Sequence, residues 1–368
     1  MSFATVNVRD YNPVIMSIRH LLNLTSDHLR SLPILIVYLT DGCNSRCVTC
    51  DIWRSPRRNM NAALIDTLVD QIKPLGVRWV VLSGGEAMQH PEWAQAARRM
   101  RAQGAHVFLL TNGLLLRKQI DRVLSSVDEV IVSLDGGTAA TYEAIRGVDG
   151  FDLLIDGIGM VRAGGIPVTT RTTVQRANFR EMAQIIDVCK AVDVNHISFL
   201  SVDVSNPFAF GDRFGHDGAI PLAGMTPAEH HPPITALNRE DVREFASLID
   251  ALEQRYAGDF ASGRIAESPA KLRRMATYFG ALHDDSPFPP VRCNAPHLSV
   301  VVEVDGSLRP CYFLPKMGKL SPNDRDLGVA VNSAAALNLR REYRTGGRAE
   351  CERCVCPLHK GARSLLAL

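Results

Sequence analysis

From residue 34 onward, apolar runs and helix-type patterns alternate along the chain. "ILIVYLT" (34–40) is apolar at nearly every position, as expected of a strand buried on both faces. "AALIDTLVDQI" (62–72) instead places apolar residues at 64, 65, 68, 69 and 72, one face of a helix. Strand-type runs recur at 77–83, 105–111, 127–135, 166–174 and 196–203. Helical patterns fall at about 91–103, 115–125, 138–164 (in two stretches) and 178–190. Six strands, each followed by a helix or a long loop, predict a parallel sheet covered by helices.

An open doubly wound sheet and a (β/α) barrel both satisfy this pattern. The unusual residues choose between them. Asp41 to Cys50, "GGE", "TNG" and "SLDG" all follow the C-terminal ends of strands, the rim on which barrels build their sites. Six units rather than eight predict an open, partial TIM-like (β/α)6 barrel over residues 34–203, preceded by an extension at 1–33. Residues 204–237 are rich in Gly, Pro and aromatics without a period, and long loops of this kind often act as lids or binding loops. A helix at about 238–257 lies in the linking region 204–290, and "LSVVVEVDGSLRPCYF" (298–313) reads as a hairpin turning at Asp305-Gly306 within a C-terminal unit at 291–368.

Composition removes several classes of function. Hydrophobic residues make up 46% of 368 positions, enough for a well-filled core. The 41 Lys+Arg against 39 Asp+Glu leave a net charge of +2, without the basic excess of a nucleic-acid binder. The apolar run 32–39 is 8 residues long, too short to span a membrane, and the N-terminus lacks the order of a secretion signal. A cytoplasmic protein is expected. In that reducing compartment nine cysteines are not disulfide material. Three fall at 43–50 and five at 293–356, which reads as metal ligation. Cys189, inside a helical pattern, reads as a buried small hydrophobe.

Cys43, Cys47 and Cys50 have the spacing C-x3-C-x2-C in the loop after the first strand. A cubane cluster held wholly by protein needs four thiolates, so three leave one iron open to a reactant. Zinc at structural sites wants four ligands, and no fourth Cys or His follows in this loop. The stretch resembles the radical S-adenosylmethionine (SAM) enzyme family. That resemblance implies a 4Fe-4S cluster whose open iron chelates SAM, and a reduced cluster that cleaves SAM to a 5′-deoxyadenosyl radical. Thr49 stands where the family often has an aromatic residue, and Trp53 follows three positions after Cys50. "LSGGEAMQHPEW" (82–93) looks like the motif that holds the SAM amino group, implying roles for Gly84, Gly85 and Glu86. Glycines permit close backbone approach, and a carboxylate receives an ammonium. "VSLDGGTAATYEAIRG" (132–147) resembles the stretch whose serine binds ribose and whose arginine meets the SAM carboxylate, here Ser133 and Arg146. Asp135 reads as loop support, "TNG" (111–113) as a turn, and Asn178 as a helix cap.

Cys293 and Cys311 flank the predicted hairpin with 17 residues between them, and Cys351, Cys354 and Cys356 follow. This resembles the SPASM and twitch extensions of the same family, which hold auxiliary iron–sulfur clusters. One auxiliary 4Fe-4S cluster is expected on Cys293, Cys311, Cys351 and Cys354, with Cys356 the rival for either of the last two; a zinc ribbon is the alternative. Weak catalytic candidates are Asp203 and His216, with Asp212, His230 and His231 also in or beside the long loop. The resemblance implies an external one-electron reductant such as flavodoxin or ferredoxin. With only 33 residues before the first strand, a small-molecule substrate is expected, a peptide being the alternative. The reading from another class is a non-catalytic zinc or iron–sulfur regulatory module.

Overall fold

The computed structural model describes residues 13–206, 235–283, 286–320, 326–362 and 365. Its spine is a sheet of nine strands among these residues: β1 (Ile34–Thr40), β2 (Trp79–Gly84), β3 (His106–Thr111), β4 (Glu129–Ser133), β5 (Val168–Val174), β6 (His196–Ser201), β7 (Ser299–Val302), β8 (Ser307–Arg309) and β9 (Gly318–Lys319). The order is β6-β5-β4-β3-β2-β1-β7-β8-β9, and β1 to β6 pair in parallel with their neighbours. This is the partial TIM-like α/β fold that the alternation predicts.

Helices lie on the outer face of the sheet. Leu35, Val37, Leu39, Val80, Leu82, Val107 and Leu109 point into one core shared with them. Local chemistry sets the helix ends. Asn61 accepts from Leu64 N at 2.8 Å to start the helix Ala62–Leu75, and Gly76 at φ 64° closes it. Thr138 and Gly147 do the same for Ala139–Arg146. Asn238 and Asp241 form a reciprocal capping box at the start of Arg239–Arg255. The helix predicted at 115–125 is shorter, Ile120–Leu124; residues 114–119 are turns, and Gln119 accepts from Trp93 Nε1 and donates to Met88 O.

Two features lie beyond the local pattern. The hairpin at Asp305-Gly306 exists, with Gly306 at φ 85°, but its first strand also pairs in parallel with β1, from Ile34↔Ser299 to Val37↔Val302. At the opposite edge, Ile197 of β6 forms a parallel bridge with Ile265. The segment before β1 is bound to the C-terminal region: Asn23 Nδ2 donates to His297 O at 3.1 Å, and the fully buried Arg340 donates to Asp27 O and Val331 O, each at 2.5 Å.

This junction encloses two histidines. Burial, with Arg78 nearby, holds His20 down to about 4; burial, with Arg344 and Arg340, does the same for His297. A depressed histidine means that the unfolded chain takes the proton first. Stability is therefore complete above the ordinary value near 6.5 and is lost as pH falls toward about 4, by at most about 3 kcal/mol per group. Urea unfolding between pH 7 and 4 should show a falling midpoint, flatter in His297→Gln; an unchanged slope in that variant would rule the assignment out.

Candidate active site

The site stands on the rim formed by the ends of β1 to β5. The loop 41–50 has no helix longer than a turn and borrows its shape from its neighbours. Arg46 N donates to Arg146 O at 2.9 Å and Val48 N to Ile145 O at 3.0 Å, using last-turn carbonyls that a helix end leaves open. From the other side, Gly85 N donates to Thr40 O at 2.7 Å and Glu86 N to Gly42 O at 2.8 Å. The two glycines are required by this contact: a Cβ on Gly84, at φ +132°, or on Gly85 would lie 2.3 Å from the carbonyl oxygen of Thr40 or Gly42. Their close approach is thus to the cysteine loop's own backbone.

Cys43, Cys47 and Cys50 are all partly exposed and free of disulfides. Arg146 is buried, donates from Nη1 to Cys47 Sγ at 3.2 Å, and holds Nε 3.0 Å from Asp135 Oδ2. Its Nη2 is buried without a hydrogen-bond partner. Asp135 is fixed in turn by Thr173 N at 2.7 Å, as its supporting role predicts. Burial, with Glu86, Cys47 and Cys50 nearby, pushes the Cys43 thiol up to about 12. The Cys43 thiol becomes a thiolate only with a compensating positive centre, which is what a metal cluster provides. The donor set and the unpaired Nη2 both fit an iron–sulfur cluster with an anionic companion.

Glu86 is fully buried and faces protein. It accepts from Thr111 Oγ1 at 2.9 Å, Asn112 N at 2.8 Å and Met88 N at 3.1 Å, while burial raises its pKa. Ser133 ends β4 half-buried, and no hydrogen bond of its hydroxyl is found among the described residues. Two expectations change. Asn178 does not cap the helix that follows: its amide nitrogen donates to Asp135 O at 2.9 Å and Thr173 O at 3.0 Å, joining the ends of β4 and β5. The stretch "TNG" also does more than turn the chain. Asn112 Nδ2 reaches Asn44 Oδ1 at 2.8 Å, Ser45 Oγ at 3.1 Å and Cys43 Sγ at 3.8 Å. Its place directly after a strand on the rim was the available signal.

Cys293, Cys311, Cys351, Cys354 and Cys356 all line one cavity of about 590 Å³, whose other wall is the inner face of the barrel. Burial raises Cys293, Cys311 and Cys354 and pushes Cys351 up to about 12, so these thiols too call for a positive centre. No three His, Cys, Asp or Glu side chains among the described residues close on a single ion. Cys189 is fully buried against Thr170 Oγ1 at 3.2 Å, as a small hydrophobe should be. Asp203 follows β6 and is buried. Its Oδ1 accepts from Ser205 N and Asn206 N, its Oδ2 has no partner, and burial raises it to about 6. His216, Asp212, His230 and His231 lie outside the described residues.

Comparison with known proteins agrees with this geometry. Residues 37–189 match the radical SAM superfamily. Over 181 residues the chain is 31% identical to the AdoMet-dependent heme synthase of Methanosarcina barkeri, covering 47% of this chain and 52% of that protein. Over 178 residues it is 30% identical to a "Probable GTP 3',8-cyclase" of Saccharolobus islandicus, covering 47% and 58%. The chain thus spans little more than half the length of these relatives. In fold it is similar to Streptococcus suis SuiB bound to precursor peptide SuiA (TM-score 0.63, 14% identity, 96% of this chain and 79% of that one). It is also similar to anSMEcpe with bound AdoMet (TM-score 0.59, 16% identity, 89% and 92%). Cysteine loop, rim motifs and matched segment coincide, and residues 37–189 form a radical SAM domain.

Proposed function

We propose that this protein is a radical SAM enzyme acting on a small molecule, with one SAM-binding 4Fe-4S cluster and one auxiliary 4Fe-4S cluster. The observation that carries the reading is the grip of Arg146 and Asn112 on a three-cysteine loop at the barrel rim. When bound, the first cluster supplies the electron that cleaves SAM to a 5′-deoxyadenosyl radical. The chain's residues hold and orient. Cys43, Cys47 and Cys50 hold that cluster, and Arg146 Nη2 offers a fixed donor to an anionic group beside it. The Ser133 hydroxyl, facing the barrel interior, suits a ribose. Gly84, Gly85 and Glu86 shape the turn that would receive the SAM amino group. Because Glu86 is bonded to Thr111, Asn112 and Met88, its contribution is to set that turn rather than to swing toward a ligand.

Cys293, Cys311, Cys351 and Cys354 hold the auxiliary cluster in a twitch-like arrangement over residues 291–368, with Cys356 the rival for Cys351 or Cys354. Cysteines that open onto the barrel cavity suit electron exchange with a substrate held there. A cavity of about 590 Å³ falls in the range that encloses small ligands. This favours a metabolite of a cofactor or natural-product pathway over a peptide. A flavodoxin- or ferredoxin-type reductant completes the cycle. Among the described residues no helix is long and apolar enough to cross a membrane, which accords with work in the cytoplasm.

Anaerobic reconstitution tests the two-cluster reading. The wild type should carry about eight irons and the Cys43/Cys47/Cys50→Ala variant about four. Zinc in the tail of that variant would replace the auxiliary cluster with a zinc ribbon, and a wild type without iron would end the radical reading. Arg146 gives a second test. Arg146→Met leaves Asp135 buried without its partner and should cost about 3–5 kcal/mol, with loss of iron from the rim cluster. Arg146→Lys should restore part of both. Equal iron content in all three proteins would show that the arginine does not serve the cluster.

A further inference from the structure

The barrel cavity contains cations that the rim does not use. Arg171 lies midway along β5 on its inner face, in register with Ser133 of β4 and Ser198 of β6. Phe108, Leu110 and Ile131 line the cavity with it. A guanidinium presents five N–H donors, yet this one makes no hydrogen bond among the described residues, and its Nε is buried without a partner. Leaving such a group on an apolar wall is unfavourable, so its position asks for a ligand.

The carboxylate nearest in influence is Glu267, and it is committed elsewhere. Its Oε1 accepts from Ser198 Oγ at 3.0 Å and its Oε2 from Phe199 N at 2.7 Å. Burial also raises its pKa, while Arg171 and Lys271 pull it back. Lys271 lines the same cavity, and its ammonium makes no hydrogen bond among the described residues. Two arginines beside the cysteines are already engaged with protein groups. Arg146 serves Cys47 and Asp135, and Arg274 donates to Pro290 O at 2.5 Å and Cys354 O at 3.4 Å. Arg171 and Lys271 are bonded to neither cysteine group.

We propose that Arg171 and Lys271 form an anion subsite for the substrate, which is a carboxylate or phosphate carried on an apolar body. A fork-shaped donor matches either anion, and the aromatic and aliphatic walls accept the rest. The proposal rests on the radical SAM reading only in naming the occupant as the substrate.

The test uses the reconstituted protein and two fluorescent probes of similar shape, anionic 1-anilinonaphthalene-8-sulfonate and neutral N-phenyl-1-naphthylamine. Arg171→Gln and Lys271→Gln should each weaken binding of the anionic dye about tenfold or more, with Arg171→Lys between them and the wild type. The neutral dye should bind all four proteins alike. Benzoate or phenyl phosphate should displace the anionic dye, and the better competitor names the anion; displacement by neither overturns the site. So does equal anionic-dye affinity in wild type and both Gln variants, or a parallel loss for the neutral dye. Loss of SAM affinity or of iron in Arg171→Gln also overturns the proposal, because the arginine then serves SAM or a cluster. A wild type lacking iron but keeping anion-selective dye binding would remove the radical reading alone.

Discussion

The cysteine loop depends on one constraint: its backbone must touch two other backbones at once. The carbonyls of Ile145 and Arg146 receive its N–H groups on one side, and Thr40 and Gly42 give their carbonyls to the Gly85-Glu86 turn on the other. Backbone contacts of this kind tolerate many side chains but few shapes. This explains the glycines at 84, 85 and 147, where a Cβ would come within 2.6 Å of a carbonyl oxygen of Thr40, Gly42 or Arg46. The positions of the three thiols follow from the ends of β2 and of the helix Ala139–Arg146, and only secondarily from the loop itself.

A second network connects the strand ends behind that loop. Glu86 holds the start of "TNG", Asn112 reaches back to the cysteine loop, Asp135 pairs with Arg146, and Asn178 binds Asp135 O. Each member is polar, buried and bonded to another strand's loop. Such networks impose a single arrangement because any partial version leaves unpaired groups in a low-dielectric setting. The rim therefore acts as one rigid piece rather than as five separate loops.

The parts legible in the sequence are those written at short range. The period-3.6 face at 62–72, the strand-type runs of β1 to β6, the cysteine spacing and the Asp305-Gly306 turn each occupy a single window and appear where expected. What stayed hidden depends on partners far away in the chain. Asn112 followed by Gly reads locally as a turn, and nothing nearby reveals Asn44 or Ser45, 68 and 67 positions away. Asn178 has the residue type of a cap, but its amide bonds β-strand ends instead. In "TTRTT" the period puts Arg171 on one face with Thr169 and Thr173 without showing that the face is the inside of a barrel.

The parallel pairing of β7 with β1 is hidden in the same way, and it bears on how the chain is made. β1 is buried along its whole length, yet the strand that covers one of its edges leaves the ribosome roughly 260 residues later. At 5–20 residues per second that interval lasts about 13–50 s. During it an apolar strand presents unpaired N–H and C=O groups, the condition that invites strand-to-strand association between nascent chains. Synthesis rate and chaperone supply should therefore govern the yield of this protein more than its final stability does. Truncation before residue 299 would make that exposed edge permanent.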